Sequence, residues 1–204
     1  MDEVFRISDP RVLKVVAHPL RVRLLGLLRA DGPDTASGLG RKVGESSGLT
    51  SYHLRELARH GFIEEDPEQR DGRERRWRAR HRYTSWDSQQ MSATPEGEEA
   101  VRIMRLRQVE ALGRASEQFV ESDWPSEWVE ASGMSDHFVT LTPEGLDEFF
   151  RRVEELRHEI QERYGDGPGV QQVRLFMAGF PRKPDASASG QAGEDASGPR
   201  QSEP

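Results

Sequence analysis

Hydroxyl, tyrosine and arginine side chains recur between residues 47 and 59 at positions that would share one face of a helix. Leu54, Leu57 and Ala58 mark the opposite, apolar face. Short polar side chains and arginines on such a helix can hydrogen-bond to base edges in the major groove of duplex DNA, and a helix N-terminus favours a phosphate. The candidate contacts from this helix are Ser47, Gly48, Thr50, Ser51, Tyr52 and Arg55.

Two residues of this helix have a second interpretation. Thr50 falls on the apolar side by helical spacing, although its hydroxyl group makes it a candidate contact. His53 could reach a base or a phosphate, but a half-buried histidine bonded to a backbone carbonyl is favoured. Taken alone, the helix could be an ordinary amphipathic surface helix, and the elements on either side of it favour DNA binding.

Arginine is unusually dense in residues 70–82, where seven arginines face only Asp71 and Glu74. This density suits contacts to phosphates or insertion into a minor groove, and the alternative is a charged hairpin edge that resists aggregation. The expected DNA contacts are Arg70, Arg73 and Arg75. Arg78, Arg80 and Arg82 are expected to pair instead with acidic groups of the second half of the chain.

Arg41 and Lys42 end the segment before the turn that precedes the candidate contact helix. They are candidate phosphate clamps. The alternative is that they only complement the negative end of their own helix dipole.

The first 82 residues contain helix and strand signals that would position these groups. Asp9-Pro10 and Pro19 start two helices, and Thr35 starts a third that ends near Gly44. Ser47 is the expected cap of the contact helix, which ends at His60-Gly61. A strand from Phe62, a polar turn over 66–72 and a strand over 73–82 complete the order of a winged helix-turn-helix.

Three stretches carry a resemblance to a known family: HPLRVRLLGLLRADG, SSGLTSYHLRELARHGFIEED and GRERRWRAR, together covering about residues 8–82. They resemble the ArsR-type winged-helix repressors. The resemblance implies a winged-helix fold, a homodimer and repression at a promoter. The cysteine ligands of the metal-sensing members have no counterpart here, and their paired Asp and His ligands are not evident, so no metal site and no cofactor are expected.

The sequence of the second half predicts a long helix from Thr94 to Glu121, followed by an irregular segment and a strand over 137–141. A further helix is predicted to start at Thr142-Pro143-Glu144, and a strand is predicted over 170–180. The predicted fold is therefore mainly α with a small β wing (α+β). The expected domains are a winged helix-turn-helix over 1–90, a helical or α+β dimerisation region over 91–180, and a disordered tail over 181–204.

Charge divides the chain in the same way. Residues 1–82 contain 17 Lys and Arg against 13 Asp and Glu, whereas residues 83–204 contain 12 against 23. This asymmetry is typical of a DNA-contacting half joined to an acidic half. Because no apolar run approaches a membrane span and there is no cysteine, we expect a cytoplasmic protein without membrane contact.

Two function classes follow from these patterns. The first is a homodimeric, sequence-specific DNA-binding regulator, with a possible organic effector or protein partner at the aromatic residues of the second half. The second is a winged-helix protein-interaction module whose acidic half binds a partner protein. Gly44-Glu45-Ser46-Ser47-Gly48 matches the pattern of a hydrolase nucleophile elbow, but the expected helix before it argues against an enzyme.

Overall fold

The structure is a computed structural model that describes residues 2–68 and 74–183. The predicted contacts Arg70 and Arg73, and residues 184–204 of the tail predicted to be disordered over 181–204, lie outside the described residues. The chain divides into two compact units, Met1–Met134 and Ser135–Pro204. The first unit extends well past residue 90, where the sequence predicted a boundary.

The first unit begins with strand β1 (Asp2–Ile7), followed by helices α1 (Pro10–Val16) and α2 (Pro19–Ala30). Both predicted helix starts are confirmed, because Asp9 accepts a hydrogen bond from the Arg11 amide and prolines occupy the first helical positions. The short strand β2 (Asp34–Thr35) leads into α3 (Ala36–Val43), which ends at Gly44 with a φ of 75°. This left-handed conformation is readily adopted by glycine.

Helix α4 (Ser47–Arg59) is the predicted contact helix. Its N-cap is Ser46, one residue before the predicted cap, and the Ser46 hydroxyl accepts from the Leu49 amide at 3.3 Å. The pentapeptide 44–48 therefore joins two helices, whereas a nucleophile elbow would follow a strand.

Three strands form the predicted wing region in an antiparallel sheet of order β2-β4-β3, with β3 at Ile63–Glu65 and β4 at Arg76–Ala79. The prediction of a single strand over 73–82 is wrong, because this stretch contains β4 and the start of another strand. The chain bends at Arg80, and β5 (His81–Trp86) leaves this sheet to pair in parallel with β1. Strand β1 was not predicted.

Arg29 of α2 fixes β5 to the helical layer. Its guanidinium donates to the His81 carbonyl at 3.0 Å and to the Thr84 hydroxyl at 2.7 Å. Burial lowers the pKa of Arg29 to about 10, so the side chain keeps its charge at neutral pH.

One apolar core joins the helices of this unit. Leu13, Leu24, Leu54 and Leu57 are fully buried, and Phe62 from the start of the wing closes the cluster. Burying each leucine stabilises the fold by roughly 1.5–3 kcal/mol. This core holds the inner face of α4, so the opposite face is fixed toward solvent.

Helix α5 (Ser88–Met91) precedes the long helix α6 (Pro95–Glu121), which packs its residues Ala100, Val101 and Met104 into the same core. The long helix was predicted, and its contact with α1 explains why the first unit extends past residue 90. Helix α7 (Ser126–Ala131) lies in a segment predicted to be irregular.

The second unit contains α8 (Pro143–Tyr164), confirming the predicted helix. The strands predicted over 137–141 and 170–180 are absent from the described chain, where both segments lack regular secondary structure. The described residues are thus mainly helical with small sheets, as expected. None of their helices combines the length and hydrophobicity that a bilayer crossing requires.

Candidate nucleic-acid interface

An open groove of about 490 Å³ separates the N-terminal half of α4 from the wing. Its walls are Ala36, Ser37, Ser47, Gly48, Ser51, Arg55, Glu74, Arg75 and Trp77. The groove therefore brings together predicted contacts from two separate stretches of the chain.

Helix α4 presents hydrogen-bonding groups along the side that faces away from the core. Tyr52 is about half exposed, Arg55 is exposed, and Ser51 is partly covered. The Arg55 guanidinium donates to the Ser51 hydroxyl at 2.8 Å, which extends the arginine along the helix surface. A guanidinium held at this position has the donors needed for a guanine edge or a phosphate.

Thr50 is not part of this surface. Its side chain is 0% exposed, and Oγ1 has no hydrogen-bond partner among the described residues. Gly40 of α3 lies against it: a Cβ at Gly40 would be 3.2 Å from Thr50 Oγ1 and 2.8 Å from the Glu45 carbonyl oxygen. The inclusion of Thr50 among the DNA contacts is therefore wrong, because close packing of α3 on α4 encloses it.

The described arginines of the wing are largely engaged with acidic residues of the same hairpin. Arg78 donates to Glu64 at 2.9 and 2.7 Å, and Arg80 lies 3.4 Å from the same carboxylate. The prediction that these two arginines pair with the second half is wrong, because the antiparallel register of β3 and β4 places Glu64 opposite Arg78.

Among the described wing residues that line the groove, Arg75 carries the positive charge. Its Nε lies 3.1 Å from Glu65, and its guanidinium is 5.4 Å from the centre of the Trp77 ring. Both partners of this ion pair are more than half exposed, so the pair contributes little stability and can exchange for a phosphate.

Lys42 and Arg41 differ in what they contact. Lys42 Nζ lies 2.8 Å from Asp31 and 3.3 Å from Asp34, and hydrogen bonds to these two carboxylates raise the pKa of the lysine. The Lys42 charge is therefore already neutralised locally. Arg41 is exposed at the end of α3, and no ion pair to it is found within residues 2–68 and 74–183.

Leu49 was not among the contacts predicted from the sequence. It is an exposed apolar side chain between Gly48 and the buried Thr50, near the start of α4. Apolar side chains at such positions can contact the methyl group of thymine. The available signal was a leucine lying outside the apolar stripe of its helix.

His53 is buried and holds α4 in place. Its Nδ1 accepts from Arg21 Nε at 3.2 Å, where the sequence analysis expected a backbone carbonyl as partner, and its ring lies 4.5 Å from that of His18. Arg21 also donates to the Val15 carbonyl at 3.0 Å. Burial, then the nearby His18 and Arg21, lower the pKa of His53.

A family model described as a helix-turn-helix domain matches residues 16–66, which run from the end of α1 to the start of the wing turn. This match supports a DNA-binding regulator. No curated protein matches the chain. Within the described residues, no group of three or more His, Asp or Glu side chains could hold a metal ion.

Two solved structures show weaker similarity. One is the homodimeric winged helix-turn-helix DNA-binding domain of a possible ArsR-family transcriptional regulator from Mycobacterium bovis, at 23% identity and TM-score 0.31, covering 52% of this chain and 81% of that chain. The other is a MarR family regulator from Neisseria meningitidis, at 14% identity and TM-score 0.27, covering 74% and 78%. In this chain, helices α2, α3 and α4 are followed by the antiparallel strands β3 and β4, which is the element order of a winged helix-turn-helix.

Proposed function

We propose that the protein is a sequence-specific DNA-binding transcription repressor that acts as a homodimer in the cytoplasm. The observation that carries this proposal is the polar side of α4, which faces an open groove shared with the wing and lies inside a helix-turn-helix match. In this proposal α4 enters the major groove, and the wing follows the adjacent backbone.

The side chains divide by role. Ser51, Tyr52 and Arg55 contact base edges, with Leu49 against a thymine methyl group. Ser47 and Gly48, at the helix N-terminus, bind a phosphate through their backbone amides. Arg41 and Arg75 contribute sequence-independent phosphate contacts, which Arg70 and Arg73 extend.

A seam on α6 supports the homodimer. Leu106, Val109, Gly113, Ser116 and Val120 recur at alternating spacings of three and four residues. Leu106, Val109 and Val120 are exposed, while the other side of α6 packs on the core. A stripe of apolar and small residues with this spacing is suited to pairing with a second helix.

Two copies would recognise an inverted repeat. Their recognition helices reach successive major grooves when half-sites are centred about 10 bp apart, or a multiple of that spacing. A dimer seated on a promoter would exclude polymerase, which is the basis for proposing repression.

The test is selection of bound sequences from a random duplex library, followed by footprinting and by sedimentation of the free protein. The expected result is an inverted repeat protected by a dimer, with affinity that falls steeply as salt increases. A single asymmetric half-site with a monomer in sedimentation would contradict the proposal. Salt-insensitive binding, or none, would favour the protein-interaction alternative.

A further inference from the structure

A buried histidine pair lies against α4, the proposed recognition helix. The ring of His53 in α4 is 4.5 Å from the ring of His18, at an interplanar angle of 33°, and His53 is only 5% exposed. The Tyr52 ring meets the His53 ring edge-on, with 5.1 Å between the ring centres. Tyr52 is one of the proposed base contacts, so His53 supports a DNA-contacting side chain from the protein side.

Hydrogen bonds fix the protonation form of both rings. His53 Nδ1 accepts from Arg21 Nε at 3.2 Å, and His18 Nδ1 accepts from the Leu20 amide at 3.2 Å. An accepting ring nitrogen carries no proton, so each ring is the neutral form with its hydrogen on Nε2. A proton added to Nδ1 of His53 would break the bond from Arg21 and place a second cation against the guanidinium.

Arg21 makes this pair a link between α4 and the two helices that begin the chain's helical layer. Its guanidinium donates to the Val15 carbonyl of α1 at 3.0 Å and lies 4.0 Å from the Glu56 carboxylate of α4. The side chains of Arg21 and Glu56 are 11% and 15% exposed. A proton on His53 would therefore remove one contact of this link in surroundings where an uncompensated charge is costly.

The charges around the two rings favour the neutral form. They come from four parts of the fold: Arg21 of α2, Glu45 in the turn before α4, Glu56 of α4 and Arg107 of α6. Burial has the largest effect and lowers the pKa of His53, and His18 and Arg21 lower it further. The two glutamates raise it by less. Burial, then Arg21 and Arg107, lower the pKa of His18 in the same way.

We propose that Arg21 and His53 form a proton-sensitive clamp that positions the recognition helix. With His53 neutral, the clamp holds α4 and Tyr52 in the arrangement that binds DNA, and a proton on His53 opens the clamp and weakens operator binding. Because coupling between two binding events is reciprocal, operator binding in turn expels this proton. The inference deepens the proposed function and rests on it for the role of α4, and both Arg21 and His53 act as positioning residues.

The first measurement uses the free, full-length protein and does not depend on DNA. Ring ¹⁵N chemical shifts, assigned by comparison with His53→Gln, should show a neutral His53 ring with an unprotonated Nδ1 at about pH 7.5, above the ordinary pKa of histidine. On acidification the ring signals of Tyr52 should shift together with the protonation of His53. A proton on Nδ1 of His53 at neutral pH, or Tyr52 signals that do not follow the titration, would overturn the proposal.

The second measurement is operator affinity against pH at constant salt, with circular dichroism confirming the folded state at each pH. Acidification from about pH 7.5 to about pH 5.5 should weaken binding by up to about tenfold per pH unit for each bound α4, the limit for one expelled proton. His53→Gln offers Arg21 an acceptor that does not titrate, so its affinity should change much less over the same range. His60→Gln, at the end of the same helix, is the matched control and should keep the full dependence.

The outcomes separate the clamp from DNA recognition itself. Equal pH dependence in the unmodified protein and His53→Gln would overturn the clamp and leave the proposed function standing, whereas no operator binding at any pH would overturn both. Should His53→Gln fail to fold, calorimetric titration of the unmodified protein with operator at about pH 6, in MES and in bis-tris, measures the protons exchanged on binding. Net release is the expected result, and net uptake would overturn the clamp.

Discussion

The two units of this chain treat apolar side chains in opposite ways. In the first unit Leu57 of α4 is fully buried, and the outward side of the same helix is polar. In the second unit the equivalent stripe of α8 has no buried member, and Leu156 is about half exposed. The comparison shows that apolar spacing predicts a helix and its apolar face, whereas it does not identify what covers that face.

Truncating one leucine in each unit gives the largest expected effect. Leu57→Ala should lower the free energy of unfolding by about 2–5 kcal/mol, because it leaves a cavity in a closed core. Leu156→Ala, at a position that is about half exposed, should lower the free energy of unfolding much less. Urea unfolding followed by far-UV circular dichroism measures both effects, because both units contain helices. Equal losses in the two variants would mean that α8 is as well covered as α4.

On the polar side of α4, Arg55→Ala should weaken binding to the selected operator by about 1–3 kcal/mol and relax the base preference at one position. The control is Arg59→Ala, on the same side but one turn further along, where the arginine pairs with Glu56 at 2.9 Å. Binding titrations on the operator and on single-base variants measure both effects. A uniform loss across all sequences in Arg55→Ala would assign this arginine to the phosphates.

Local signals predicted most of the helices, because caps and apolar spacing lie within each segment. Asp9-Pro10, Thr35 and Thr94-Pro95 each start a helix in the structure as expected. Strands depend on distant partners, and they were predicted less well. Strand β1 is six residues long, half of them polar, and its partner β5 lies about 80 residues later, so the pairing that makes it a strand is not encoded locally.

Within the candidate site, the outward residues of α4 could be predicted, but their surroundings could not. Thr50 was misplaced because its burial depends on Gly40 of a different helix. The ion pairs of Lys42, a candidate phosphate clamp, were not predicted, because its two carboxylate partners lie 11 and 8 residues earlier in the chain. The burial of Thr50 and the pairing of Lys42 both depend on tertiary contacts, which helical spacing does not encode.

Thr50→Val tests the burial of this residue directly. The substitution removes a buried hydroxyl group without a described partner and keeps the shape, so it should stabilise the fold by about 1 kcal/mol and leave operator affinity unchanged. Thr50→Ser, which keeps the hydroxyl and removes a methyl group, should destabilise by about 1 kcal/mol. Weakened operator binding by Thr50→Val at unchanged stability would return Thr50 to the contact surface.

Replacing Arg41 or Lys42, the adjacent cations at the end of α3, should change the salt dependence of DNA binding by different amounts. Arg41→Ala should lower the slope of log affinity against log salt by about one, as expected for the loss of one phosphate contact. Lys42→Ala should change that slope less, because Asp31 and Asp34 already neutralise the lysine. Binding to random duplex DNA over a range of salt concentrations measures both, and a larger effect for Lys42→Ala would contradict the assignment.

The smallest expected effect is a pH dependence of stability in the first unit. Burial lowers the pKa values of His18 and His53 below 6.5, with positive charge from Arg21 near both rings, Arg107 near His18, and Glu45 and Glu56 partly offsetting at His53. Each ring also accepts a hydrogen bond at Nδ1, from the Leu20 amide in His18 and from Arg21 in His53, and protonation at Nδ1 would remove it.

At pH values between the folded and unfolded pKa of these histidines, the unfolded chain binds more protons than the folded chain. The contribution of the two rings to stability is therefore complete above about pH 6.5 and falls as the pH is lowered. The urea midpoint from tryptophan fluorescence should therefore decrease on acidification, and His53→Gln should flatten the decrease while His137→Gln, in the other unit, should not. A midpoint that rises on acidification would mean that these rings are held in their charged form.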